Sequence, residues 1–177
     1  GFDKKGNPIY SYSKMEKIAH PKIFGDLRRV EYFPETDTMY LSGYTDENPA
    51  INNDYAKLMG SEIARYDNWS KGNRKPRWRI VLPVDRRAPP EVLNPAAMSV
   101  AGDYVFAVTV YKAEVYVYDA KTGRRVRIFK PGKEVFEETG WVDIPYGVRA
   151  FRSKNGEYVV FVEENAKAKV MMYRFKG

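Results

Sequence analysis

Apolar positions recur at every second residue along much of this 177-residue chain, in short runs broken by Gly, Pro, Asn and Asp. A period of two belongs to β-strands, whose successive side chains point to opposite faces. The stretch "YVYDAKTGRRVRIFKPG", Tyr116 to Gly132, is the clearest case. Val115 and Val117 alternate with Tyr116 and Tyr118, and past the turn Val126 and Ile128 alternate with Arg125, Arg127 and Phe129, as half-buried strands would. Between them Asp119-Ala-Lys-Thr-Gly123 has turn chemistry, with Asp to bond its own backbone and Gly to take a positive φ.

This hairpin is one copy of a repeat. The order aromatic, Asp, short polar stretch, Gly, strand occurs at "FDKKGNPIYSY", "YDNWSKGN" and "YDAKTGRRVRIF", with a decayed copy "YRFKG". The aromatic positions are Phe2, Tyr66, Tyr118 and Tyr173. Their spacing suits a unit of four strands with some long loops, since four strands and their turns take roughly 40 to 50 residues. "RRVEYFPETDTMYLSGY" (28–44), "PAAMSVAGDYVFAVTVY" (95–111) and "GVRAFRSKNGEYVVFVE" (147–163) each predict strand, tight turn, apolar strand. The last two share Gly-acid-Tyr-Val, at Gly102 to Val105 and Gly156 to Val159.

A polarity gradient runs across the middle unit. Its first strand, Ala96 to Val100, is small, its second, Tyr104 to Val110, is apolar throughout, and its fourth, Arg124 to Phe129, is half Arg. Small residues suit a crowded axis and Arg suits an edge facing water. The expected fold is therefore all-β: a β-propeller segment of about three four-stranded blades, innermost strand first, belonging to a larger propeller. A Greek-key sandwich also has many short strands, but gives no reason for a repeated order of strand types. Residues 1–177 are expected to form a single segment with blade boundaries near 26, 85–95 and 133–147.

"YVYDAKTGRRVRIF" resembles the repeat of the bacterial propeller superfamily that includes quinoprotein-like and YVTN-type repeat proteins, where an aromatic-Asp-x-x-x-Gly turn precedes the outermost strand. The resemblance covers the Tyr116 to Phe129 copy well and the other units loosely, and it implies fold rather than function. Quinoprotein dehydrogenases typically carry Trp in the outer strand of many blades, where this chain has Phe129 in one copy and Tyr12 in another. Their adjacent-Cys disulfide has no counterpart, and no Trp-Asp pair supports the eukaryotic tryptophan-aspartate repeat.

Composition narrows the partners. Lys plus Arg number 30 against 23 Asp plus Glu, for a net charge of +7, so a polyanionic ligand is compatible. The basic residues are spread along the chain and are not organised with aromatics on any one strand, which argues against nucleic acid. The absence of Cys removes disulfides, thiolate catalysis and cysteine metal sites. No apolar run reaches the roughly 20 residues of a membrane helix. Gly1 stands where an initiator Met would be, so an upstream segment is expected, and a periplasmic or extracellular location is favoured.

In a propeller, one face carries the connections between second and third strands and between blades, and the other carries the remaining turns. The first face is expected to hold long loops at 13–25, 46–60, 85–94 and 133–146, and the second mostly tight turns, at 34–37, 101–103, 120–123 and 153–156, with the longer 68–76 as the exception. Long loops on one rim are where binding residues are usually carried. The candidates there are His20, the only His, and Asp46, Glu47, Asn53 and Asp54, whose oxygen-rich loop could hold Ca²⁺ although its spacing is not that of an EF-hand. Glu137, Glu138 and Asp143 add carboxylates, with a geometry the sequence leaves open. Trp141 and Tyr146 could stack on a sugar ring or cover the core. Arg149 and Arg152, with Arg28 and Arg29, lie in inner strands, where they could meet a carboxylate or sulfate bidentately or bridge to neighbouring blades.

No nucleophile motif, metal-ligand motif, phosphate loop or dinucleotide fingerprint is present. The sequence therefore points to a scaffold that binds a ligand or protein through its long-loop face, with further blades from the same or a second chain as partners. The alternative is part of an exported bacterial propeller enzyme, a polysaccharide lyase or hydrolase or a quinone-type oxidoreductase.

Overall fold

The computed structural model describes residues 4–5, 26–44, 61–82, 97–109, 112–129, 145–164 and 169–177. Among these, the alternating stretches form three antiparallel sheets, each a meander whose strands pair in chain order. The first contains β1 (Asp26–Phe33), β2 (Thr38–Tyr44), β3 (Ser61–Asp67) and β4 (Trp78–Val81). The second contains β5 (Ala97–Ala101), β6 (Tyr104–Thr109), β7 (Lys112–Asp119) and β8 (Arg125–Phe129), and the third β9 (Pro145–Arg152), β10 (Tyr158–Glu164) and β11 (Lys169–Phe175). The sheets stack face to face with their first strands, β1, β5 and β9, side by side. Three meanders packed about their first strands are blades of a β-propeller. Among the described residues the third has three strands, and the four-strand pattern is complete in the other two.

The turns follow from local chemistry. Thr122 donates both its backbone N–H and its hydroxyl to Asp119 Oδ1 at 2.7 Å, which holds the Asp119 carboxyl below the usual carboxylate range. Gly123 then adopts φ +72°, as the turn pattern requires. In the first sheet Asp37, at φ +48° without being Gly, is held by donors from Tyr32 Oη at 3.0 Å, Ser70 N at 2.9 Å and Ser70 Oγ at 2.8 Å. Its own carbonyl accepts from Trp69 N, tying the β1–β2 turn to the 3-10 turn Trp69–Lys71.

Two apolar layers hold the sheets together. Tyr40, Ile63 and Leu82 of the first side pack on Met98, Val105, Ala107, Tyr116 and Tyr118 of the second sheet. Phe106, Val108, Val115 and Val117 on the opposite side of the second sheet pack on Val148, Tyr158, Val160, Val162 and Phe175 of the third. The strand at Val115 to Tyr118 is therefore buried on both faces rather than half-buried, because it belongs to a sheet covered on each side. Its partner past the turn is a water-facing edge, with Arg125, Val126 and Arg127 exposed.

The shared Gly-acid-Tyr-Val does not occupy equivalent places. Tyr104 and Tyr158 both point into the layer between the second and third sheets, ring centroids 5.0 Å apart and edge to face. The β5–β6 turn has only Gly102 and Asp103, whereas β9 and β10 are joined by Ser153 to Glu157. A register offset of one residue turns every side chain to the other face.

Candidate functional site

Two clusters join the blades, one beneath the tight turns and one at the axis. In the first, the Ala120 carbonyl of the β7–β8 turn accepts from Arg65 Nη1 at 2.7 Å, Trp78 Nε1 at 3.1 Å and Tyr40 Oη at 3.4 Å, all from the first sheet. Arg65 also pairs with Asp67 Oδ1 at 2.7 Å, and Arg77 reaches Asp67 Oδ2 at 3.4 Å. The Tyr40 hydroxyl is pushed above its ordinary pKa by burial. Gly123 leaves room for this seam, since a Cβ there would lie 2.9 Å from the Trp78 ring. Above it opens a groove of about 680 Å³ between the first two blades, bounded by Phe33, Tyr40, Arg65, Asp103 and Lys121.

At the axis, β1 supplies the acceptor that β5 lacks. Glu31 Oε2 accepts from Val100 N at 2.9 Å, and Ala150 N of β9 donates to Ser99 Oγ at 3.0 Å, so each inner strand is bonded to the next through a side chain. Glu31 Oε1 lies 3.5 Å from Arg29 Nη2 and 3.8 Å from Arg149 Nη1, which links the first blade to the third across the second. Burial pushes the Glu31 carboxyl above the usual carboxylate range, against the lowering effect of the Val100 N–H and Arg29. Arg29 Nε is buried and has no acceptor among the described residues.

The predicted site residues fare unequally. His20, Asp46, Glu47, Asn53, Asp54 and Trp141 lie outside the described residues, as do Glu137, Glu138, Asp143 and the 46–54 loop proposed for Ca²⁺. Tyr146 lies in β9. Arg149 and Arg152, expected together at the channel, are parted by the strand between them. Arg149 turns to Glu31, while Arg152, at the tight-turn end of β9, pairs with Asp103 Oδ2 at 3.7 Å and lies over the Tyr158 ring. Sequence reasoning missed Glu31, whose signal was an acid in an inner strand, and the groove, whose walls come from distant segments. Among the described residues no group of three or more His, Asp and Glu could hold a metal ion, and no helix is long and apolar enough to cross a membrane.

No family model matches the chain, and no curated protein matches it. Among solved structures it is similar to the WD40 repeats of RRP9, at 11% identity and a TM-score of 0.47, covering 90% of this chain and 41% of that one. It is similar to U3-55K at 12% identity and a TM-score of 0.46, with the same two coverages. Similarity to the hydrazine synthase of Kuenenia stuttgartiensis has 12% identity and a TM-score of 0.43, over 86% of this chain and 37% of that one. The chain thus spans about two fifths of the length of these structures.

Proposed function

We propose that this segment is a binding scaffold that holds a partner on the rim of long connections. The observation that carries this reading is the asymmetry between the two ends of the sheets. At one end the strands are joined by short bonded turns such as 34–37, 102–103 and 120–124. At the other end leave the connections 45–60, 82–96 and 130–144, while 110–111 and 165–168 are the short ones there. A rigid meander with long segments at one end is the arrangement in which loops carry recognition. The finer expectation, that His20, Asp46, Glu47, Asn53, Asp54, Trp141 and Tyr146 contribute contacts, belongs to this proposal.

The test is capture of a partner on immobilised chain, with identification of what binds. Asp54→Ala and Trp141→Ala should each reduce the amount retained at least fivefold, whereas Lys121→Ala and Lys154→Ala, on the tight turns, should leave it unchanged. Loss with the lysine variants and retention with the other two would move the site to the opposite face.

A further inference from the structure

We infer that the axis of the propeller carries a subsite for an oxyanion, of carboxylate or sulfate shape, between Arg29 and Arg149. Two guanidinium groups share one carboxylate oxygen there, at 3.5 and 3.8 Å, both longer than a good charged hydrogen bond. The other oxygen of Glu31 is committed to Val100 N, so the carboxylate neutralises only one of the two cations. Arg29 Nε, buried and without an acceptor among the described residues, is a donor directed into the cluster. A buried N–H of that kind calls for an acceptor, and a planar oxyanion beside Glu31 supplies one while balancing the second positive charge.

The strands place these donors and the neighbouring chemistry suits an anion. Arg29 and Glu31 alternate on β1, and Arg149 faces them from β9, so one group bound there would span two blades. Arg149 is 67% exposed along its side chain, which leaves most of its fork free to bond a ligand. Glu31 competes with the ligand for both guanidinium groups and thereby keeps the subsite weak. The same chemistry fits a free anion or the carboxylate of an acidic side chain on a partner. This inference does not depend on the rim reading.

The experiment follows the Arg Nε–H resonances of the 177-residue chain by NMR during titration with sodium sulfate, against sodium chloride at equal ionic strength. In the wild type the Arg29 Nε–H signal should shift saturably with sulfate and not with chloride. Arg149→Met should weaken the apparent affinity at least fivefold, and Glu31→Gln should strengthen it severalfold by removing the competitor. A parallel titration with acetyl-Glu-Glu-amide separates the sources: saturation with the peptide at lower concentration than sulfate assigns a partner's carboxylate, and the reverse assigns a free anion. Arg29→Met may disturb the seam to β5, so Arg149→Met carries the test. Equal responses to sulfate and chloride, an unaffected Arg149→Met, or weaker binding in Glu31→Gln would each overturn the inference.

Discussion

At the scale of single residues, the fold depends on a few positions where backbone conformation and packing make one demand. Gly123 combines φ +72° with a Trp78 ring 2.9 Å from where a Cβ would stand. Gly123→Val is therefore expected to destabilise the protein by about 1 to 3 kcal/mol, seen as a lower urea midpoint, because a β-branched residue resists that φ and meets the ring. Pairing it with Trp78→Ala should recover part of the steric loss and none of the backbone strain. The need for Gly at 123 was legible from the turn pattern, but Trp78, forty-five positions away, was not. Glu31 supports a pH prediction. Its folded pKa is raised, so the fold favours the protonated acid, and stability relative to a neutral isostere falls as pH rises from the ordinary Glu range through the folded value. Wild type minus Glu31→Gln stability should thus be smaller at pH 7 than at pH 4 in paired denaturation curves, and a larger difference at pH 7 would contradict the assigned burial.

At the scale of elements, β6 and β7 form the centre and β8 the water-facing edge. Phe106 is fully buried between the second and third sheets, in contact with Tyr104, Tyr158 and Phe175 rings. Phe106→Ala should cost about 3 to 5 kcal/mol, measured by chemical denaturation, in line with large cavities in rigid cores. The seam at the β7–β8 turn is polar and depends on Arg65. Arg65→Met removes the shortest donor to the Ala120 carbonyl and the partner of Asp67, for an expected loss of about 1 to 3 kcal/mol. Trp78 and Tyr40 still bond that carbonyl, so the turn should keep its conformation while the first two blades separate more readily, as hydrogen exchange at Ala120 and Lys121 would report. Strand identity and the Arg-rich edge were visible in alternation and charge. Which strands were covered on both faces was not, because alternating Val and Tyr suits a half-buried strand and a doubly buried one equally.

At the scale of the molecule, the outward side of the third sheet is apolar, with Phe151, Val170 and Met172 half exposed or more and Phe151 and Phe161 in ring contact. Joint Phe151→Asp and Met172→Asp substitution should lower binding of a hydrophobic dye severalfold while leaving the denaturation midpoint within about 0.5 kcal/mol, as expected where no core contact is lost. Strand counting placed Ile9 to Tyr12 as an outer strand paired beyond these three blades. That segment lies outside the described residues, and among the described strands β11 is bonded to β10 alone. The sequence by itself determined the strands, their antiparallel order, the turn glycines and the graded polarity from axis to edge, because each follows from alternation and from the φ that a residue type permits. Only the tertiary structure decided that β6 and β7 are covered twice, that Tyr104 and Tyr158 meet, and that Arg29, Glu31 and Arg149 converge at the axis while Arg152 is drawn off to Asp103. Such meetings join residues 55 to 120 positions apart, and they depend on turn length, one-residue register and the stacking of whole sheets, none of which a local pattern encodes.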